Sequence, residues 1–149
     1  MPTPDGISDE DWDEITRDAY VLVNSDDSDR VRIFLIEALL ESLECLTKKY
    51  GRKASIIATI AEFSLMSDSP NLHESEALFK EAYELACETS DDLNKCFISH
   101  SLAELYDDKL NNPDLARYWV GVLGENLRNH PEDFLEESYE ELAAKLVTK

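Results

Sequence analysis

Apolar residues recur every three or four positions along most of the chain, which is the spacing of amphipathic helices rather than of strands. The clearest case lies in residues 94–119, where two apolar-periodic segments flank a short polar turn. Asn112 would cap the second segment, and Pro113 would take its first helical position, where proline's missing N–H costs nothing. This stretch predicts two antiparallel helices, with the small residue Ala103 at their crossing and Tyr106 filling the gap beside it.

The same periodicity predicts an all-α chain of about seven helices. We expect them at about residues 8–23, 29–50, 53–66, 72–88, 91–108, 113–128 and from 131 onward. Ser8 with Asp11, and Thr89 with Asp92, resemble capping boxes that would begin the first and fifth helices. Gly51 predicts the end of the second helix.

The apolar positions also predict which side of each helix is buried. In the second, most apolar helix, the residues expected to face inward are Val31, Phe34, Leu35, Ala38, Leu39, Leu43 and Leu46. In the first they are Trp12, Ile15, Ala19, Leu22 and Val23. In the last they are Phe134, Leu135, Tyr139, Leu142, Ala143 and Leu146, opposite a side lined with acids.

One segment carries a family resemblance in Leu102, Ala103, Tyr106, Ala116, Trp119 and Pro131. In this order they resemble a tetratricopeptide repeat, although Ala116 and Pro131 come late and Val122 replaces a small residue. Residues 60–63 echo residues 102–105, so the repeat-like part covers 52–131. The resemblance implies helical hairpins in a short stack, closed by a C-terminal solvating helix. A plain helical bundle is the alternative.

The resemblance also implies a binding surface, because the first helix of each pair in this family lines a concave groove. Carried onto this chain, it gives the candidate partner-binding residues Asp13, Tyr20, Glu62, Phe97, His100, Glu104, Asp107 and Asp108. Acids beside aromatic side chains would suit a basic, partly apolar protein. The alternative is that Tyr20 and Phe97 are ordinary core or half-exposed residues.

Length and charge narrow the class of protein. A chain of 149 residues predicts one domain, with residues 1–7 as a loose N-terminal arm. The 33 acidic and 14 basic residues give a net charge of −19, which disfavours binding to nucleic acid or anionic membranes. Residues 1–30 alone hold 10 acids and 2 bases. This balance favours a basic protein partner, although solubility alone would also account for acidity.

Catalytic chemistry has little support in the sequence. The three histidines are far apart, and no zinc-protease motif, glycine-rich phosphate loop or nucleophile elbow is present, so we expect no catalytic residue, cofactor or metal. His100, Glu104, Asp107 and Asp108 could hold a divalent metal if they share a helix face, but a solvated acidic face is favoured. Cys45, Cys87 and Cys96 are expected to be buried, reduced thiols. No signal peptide or membrane-length apolar stretch is predicted, which favours a cytoplasmic protein.

These observations predict a non-enzymatic binding protein. The most specific hypothesis is an immunity protein that occludes a basic antibacterial toxin such as a nuclease, because a nuclease site is basic and fast association would protect the cell. The alternative is a scaffold or secretion chaperone that grips a peptide segment in the groove. A metal-dependent hydrolase is a third and weaker hypothesis.

Overall fold

The regular secondary structure is helical throughout the residues described by the computed structural model, which are 6–24, 29–67 and 69–147, and the predicted all-α class is confirmed. A π-helical segment, Leu105–Lys109, directly follows α5. Within these ranges the seven α-helices are α1 (Asp9–Val23), α2 (Asp29–Tyr50), α3 (Ala54–Ser64), α4 (Leu72–Glu88), α5 (Asp92–Glu104), α6 (Pro113–Asn129) and α7 (Asp133–Val147).

Backbone contacts divide the chain into two compact units, an N-terminal unit (Met1–Leu78) and a C-terminal unit (Phe79–Lys149). In the N-terminal unit, α1 packs against α2, and α2 packs against α3. In the C-terminal unit, α5 packs against α6, and α7 contacts both of them. These contacts between consecutive helices are consistent with the predicted antiparallel hairpin packing.

The start of α1 is closed by both a polar and an apolar contact. The Ser8 hydroxyl accepts a hydrogen bond from the Asp11 backbone N–H at 3.2 Å, which confirms the predicted cap. Ile7 and Trp12, each 7% exposed, take the two positions of a hydrophobic staple and bury in the same core. The loose arm predicted for residues 1–7 is therefore wrong at Ile7, while residues 1–5 lie outside the described residues.

The buried face of α2 differs from the predicted one. Its buried side chains are Ile36, Leu39, Leu43 and Leu46, whereas Val31 and Phe34 are 42% and 68% exposed and Ala38 is exposed. Apolar residues surround much of this helix, so periodicity alone allows more than one choice of inward face. The predicted inward positions of Val23 on α1 and Phe134 on α7 are also wrong, because these side chains are 63% and 75% exposed.

The core of the C-terminal unit agrees more closely with the predicted helical pair. Ala103, Ala116 and Tyr106 are buried, as is Trp119. The Trp119 ring meets the edge of Tyr83, with 5.2 Å between the ring centroids. A second cluster joins α5, α6 and α7 through Cys96, Leu123, Leu127 and Leu135.

Two predicted helix starts are displaced along the chain. Asp91, not Thr89, caps α5, because its carboxylate accepts from the Asn94 N–H at 3.1 Å. Thr89 instead donates to the Leu85 carbonyl within α4, and Ser90 takes a left-handed conformation (φ 54°) that separates the two helices. Residues 131–132 precede α7, which begins at Asp133 rather than at residue 131.

The cysteines are not all buried. Cys96 is buried, and burial raises the pKa of its thiol to about 11, but Cys45 and Cys87 are exposed. The prediction of three buried thiols is therefore wrong for these two, because their helix positions lie away from the cores. None of the helices in the described residues is long and apolar enough to cross a membrane.

Candidate functional site

The outer face of α1 carries two of the predicted partner-binding residues. Trp12, Ile15, Ala19 and Leu22 bury the inner face, which leaves Asp13 and Tyr20 on the opposite side, seven residues and about two turns apart. Asp13 is exposed, and the Tyr20 side chain is 70% exposed. The structure therefore places both residues where a partner could reach them, and Tyr20 is not a core residue.

This helix has more acid than its own structure uses. Its sequence contains six acids (Asp9, Glu10, Asp11, Asp13, Glu14 and Asp18) and one base, Arg17. The favourable interaction of acids with the helix dipole is confined to the first turn, which holds Asp9, Glu10 and Asp11. The other three acids contribute negative charge that helix formation does not require.

One acid of α1 has a structural role. The Asp11 carboxylate lies 2.8 Å from the Lys49 ammonium and accepts a hydrogen bond from the Tyr50 hydroxyl. These contacts, first of all the hydrogen bond from Lys49, lower the pKa of Asp11 below its ordinary value of 3.8. The start of α1 is thereby tied to the end of α2.

In the C-terminal unit, two of the predicted residues contact each other. Nε2 of His100 lies 2.8 Å from a carboxylate oxygen of Glu104, one helical turn further along α5. The hydrogen bond from His100 lowers the pKa of Glu104. His100 is half-buried and Glu104 is exposed, so this pair is accessible at its carboxylate end.

The prediction of Asp107 as an exposed binding residue is wrong. Its side chain is only 1% exposed, and its carboxylate lies 2.7 Å from the Lys145 ammonium of α7. Lys145 also reaches Asp108, at 3.4 Å. The π-helical turn at Leu105–Lys109 changes the angular position of the residues after Glu104, which turns Asp107 inward. Asp107 and Asp108 thus serve to hold α7.

The two remaining predicted residues have different surroundings. Glu62 is exposed on α3. Phe97 is half-buried and packs against the core cluster formed by α5, α6 and α7. Asp13, Tyr20 and Glu62 belong to the N-terminal unit, and Phe97, His100, Glu104, Asp107 and Asp108 belong to the C-terminal unit.

A cleft of about 400 Å³ opens between α6 and α7 of the C-terminal unit. Its lining combines apolar groups with charged ones of both signs, from Gly124, Leu127, Arg128, Pro131, Glu136, Tyr139 and Glu140. The two helices pack closely beside the cleft, because a Cβ on Gly124 of α6 would lie only 2.8 Å from the Tyr139 hydroxyl of α7. We assign it no ligand, since its lining does not favour one kind of molecule.

Sequence reasoning missed exposed apolar side chains at the end of α1 and at the start of α2. Val21 is 53% exposed at the end of α1, and Phe34 is 68% exposed near the start of α2. The sequence does indicate that some apolar side chains of α2 are exposed, because this helix has more apolar residues than one buried stripe can hold.

In the described ranges, no group of three or more His, Cys, Asp or Glu side chains is placed to hold a metal ion. The proposed donors Asp107 and Asp108 are directed at Lys145. Comparisons with protein-family models, with curated proteins and with solved structures each give no significant match.

Proposed function

We propose that this chain is a non-enzymatic protein-binding module that holds a basic protein against the outer face of α1. The observation that carries the proposal is the charge of that face. Asp13, Glu14 and Asp18 are exposed, and within the described residues none of them forms an ion pair. Negative charge that is not used inside a protein remains available to a cationic partner.

The electrostatics favour rapid association. A net charge of −19 on 149 residues attracts cationic proteins over distances of about a Debye length, roughly 8 Å at physiological salt. Complementary charge raises association rates more than it raises final affinity. Fast capture is the property that an inhibitor of a damaging enzyme needs.

The most specific form of the proposal is an immunity protein. It would bind a nuclease-type antibacterial toxin in the cytoplasm and occlude the basic surface that the toxin uses for its substrate. Support comes from the small helical fold and the acid concentrated in residues 1–30, which contain 10 acids and 2 bases. Inhibition would be steric and electrostatic, and it would need no catalytic group on this chain.

A second candidate is a scaffold or secretion chaperone that grips a peptide on a tetratricopeptide-like stack. The exposed ring of Tyr20 favours it, because aromatic side chains anchor many interfaces. The two candidates differ in their response to salt. The affinity of a charge-driven inhibitor falls steeply with ionic strength, whereas that of a groove held by aromatic contacts changes less.

Affinity capture with two matched triple variants tests the proposal. Asp13→Asn, Glu14→Gln and Asp18→Asn remove three negative charges from α1, and Glu137→Gln, Glu140→Gln and Glu141→Gln remove the same charge from exposed positions on α7. We expect the wild type and the α7 variant to recover the same basic protein at physiological salt, identified by mass spectrometry, and the α1 variant to lose it. Recovery of no basic protein by the wild type would contradict the proposal.

The inhibitory function needs its own assay. The captured protein is purified, and its nuclease activity is measured against increasing amounts of this chain. An immunity protein should abolish the activity near an equimolar ratio. A captured protein whose activity is unchanged by saturating amounts of the chain would favour the scaffold or chaperone instead.

A further inference from the structure

Gly121 lies in the middle of α6, where glycine is less favourable than alanine for helix formation. Its backbone does not require glycine, since the glycines with positive φ are Gly6 and Gly51. Its packing does not require glycine either, because a Cβ on Gly121 would meet no group of the described residues within 4 Å outside its own turn of helix. Folding therefore gives no reason for a glycine here, whereas glycine is common where another molecule approaches the backbone closely.

The neighbours of Gly121 along the same face of α6 are Tyr118 and Glu125. They come three residues before it and four residues after it, and side chains at these spacings are adjacent on a helix surface. The Tyr118 side chain is 60% exposed, and Gly121 and Glu125 are also exposed. The opposite side of the helix is buried, at positions that include Leu123 and Leu127. We call Tyr118, Gly121 and Glu125 the Gly121 notch, since the glycine leaves a gap between two larger side chains.

The Tyr118 ring is positioned by a contact with the core. It meets the Trp119 ring edge to face, with 5.3 Å between the ring centroids and an interplanar angle of 86°. Trp119 is only 8% exposed, and its ring is held in turn by Tyr83, at 5.2 Å between centroids. The exposed ring therefore rests on a buried one. An aromatic surface that is already held in place loses less conformational entropy when a ligand binds to it.

Glu125 supplies a carboxylate to the notch that the fold does not use. Among the described residues it forms no ion pair. The two arginines of α6 are directed toward α7 instead. Nε of Arg117 donates to the Leu146 carbonyl at 3.3 Å, and Arg128 lines the cleft between α6 and α7. The negative charge of Glu125 therefore remains available to a cation from another molecule.

We propose that the Gly121 notch binds an arginine side chain of another protein. The guanidinium would stack on the Tyr118 ring and donate two hydrogen bonds to the Glu125 carboxylate, while the aliphatic part of the arginine crosses the bare backbone at Gly121. Arginine fits better than lysine, because its planar group both stacks on aromatic rings and binds a carboxylate through two parallel hydrogen bonds. A second copy of this chain is a poor source of that arginine, because each copy carries a net charge of −19. The notch belongs to the C-terminal unit and does not depend on the acidic face of α1.

Amide NMR titration of the full chain tests this site with two capped tripeptides, Gly-Arg-Gly and Gly-Lys-Gly, which carry the same charge. The protein variants are Gly121→Ala, which fills the notch, and Glu125→Gln, which removes its carboxylate. Glu137→Gln removes the same charge from an exposed position on α7 and is the matched control. Gly121→Ala should fold at least as stably as the wild type, because alanine favours the helix and meets no neighbour. A loss of binding in this variant therefore cannot come from unfolding, and circular dichroism verifies that all three variants fold.

We expect the arginine peptide to shift the amide signals of Tyr118, Gly121 and Glu125, and the lysine peptide to bind at least about threefold more weakly. Gly121→Ala and Glu125→Gln should lose the arginine preference, and Glu137→Gln should keep it. Equal binding of the two peptides, no shift at Gly121, or unchanged arginine binding by Gly121→Ala would each overturn the inference. Signals of the notch that change with protein concentration alone would also overturn it, because a second copy would then cover this face. None of these results bears on whether α1 holds a basic protein.

Discussion

A tyrosine and an aspartate from each unit differ sharply in their burial and pairing. In the C-terminal unit, Tyr106 is 1% exposed, and Asp107 is buried against Lys145. In the N-terminal unit, Tyr20 is 70% exposed, and Asp13 has no ion pair within the described residues. The same residue types therefore stabilise the fold at some positions and remain at the surface at others. Residue type alone does not distinguish a binding residue from a structural one, whereas burial and pairing do.

The largest expected effect comes from truncating a tyrosine in each unit. Tyr106→Ala should lower the free energy of unfolding by about 3–5 kcal/mol, because it leaves a cavity in a packed core. Tyr20→Ala should change it by no more than about 0.5 kcal/mol, since its ring is largely in solvent. Urea denaturation followed by circular dichroism measures both. Equal losses of unfolding free energy in the two variants would contradict the difference in burial between Tyr106 and Tyr20.

The next effect distinguishes two adjacent acids. Asp107→Asn should cost about 1–3 kcal/mol of unfolding free energy, because a buried group loses its charge-assisted contact with Lys145. Asp108→Asn should cost less than about 1 kcal/mol, since exposed ion pairs contribute little. Thermal and urea unfolding of the two variants provide the measurement. A neutral Asp107→Asn would contradict a stabilising role for its contact with Lys145.

A pair of glycines in α6 tests how tightly the C-terminal unit is packed. Gly124→Ala should lower the free energy of unfolding by about 1–2 kcal/mol, because its Cβ would meet the Tyr139 ring. Gly121→Ala should raise it by about 0.5–1 kcal/mol, since no other group lies within 4 Å and alanine favours the helix. Urea unfolding should give opposite signs for the two variants, and equal signs would contradict the packing described here.

The smallest effect is a dependence on pH in the N-terminal unit. The pKa of Asp11 is depressed below 3.8, chiefly by its hydrogen bond from Lys49. A depressed carboxyl pKa stabilises the fold at pH above the unfolded value, and this contribution is lost as the pH falls through the folded pKa. Lys49→Met should therefore raise the pKa of Asp11 toward 3.8, as measured by carboxyl NMR titration. Glu104, held by His100 in the other unit, is the internal control and should not change.

Local rules predicted the features that depend on a few neighbouring residues. Ser8 caps α1, Asn112 caps α6 with Pro113 behind it, and Gly51 follows α2 in a left-handed conformation at φ 85°. Each of these depends on hydrogen bonds or backbone freedom within one turn of the chain. Such features can be recognised from the sequence alone.

Features that depend on tertiary packing could not be predicted in this way. Regular α-helical periodicity predicts an accessible Asp107, but no sequence pattern indicates the π-helical turn at Leu105–Lys109 that turns this residue inward. Periodicity also predicts an inward Phe34, because it does not identify which apolar arc of α2 meets α1 and α3. Of the candidate site, Asp13 and Tyr20 are exposed as the proposed surface requires.

The central claim is that exposed acids on α1 hold a basic protein, and salt dependence of binding tests it most directly. The dissociation constant for the captured partner would be measured from low to physiological salt with the wild type and with both triple charge variants. We predict that affinity falls steeply with salt for the wild type and the α7 variant, and that the α1 variant binds weakly at every salt concentration. An affinity that is insensitive to salt and equal for all three proteins would contradict the account.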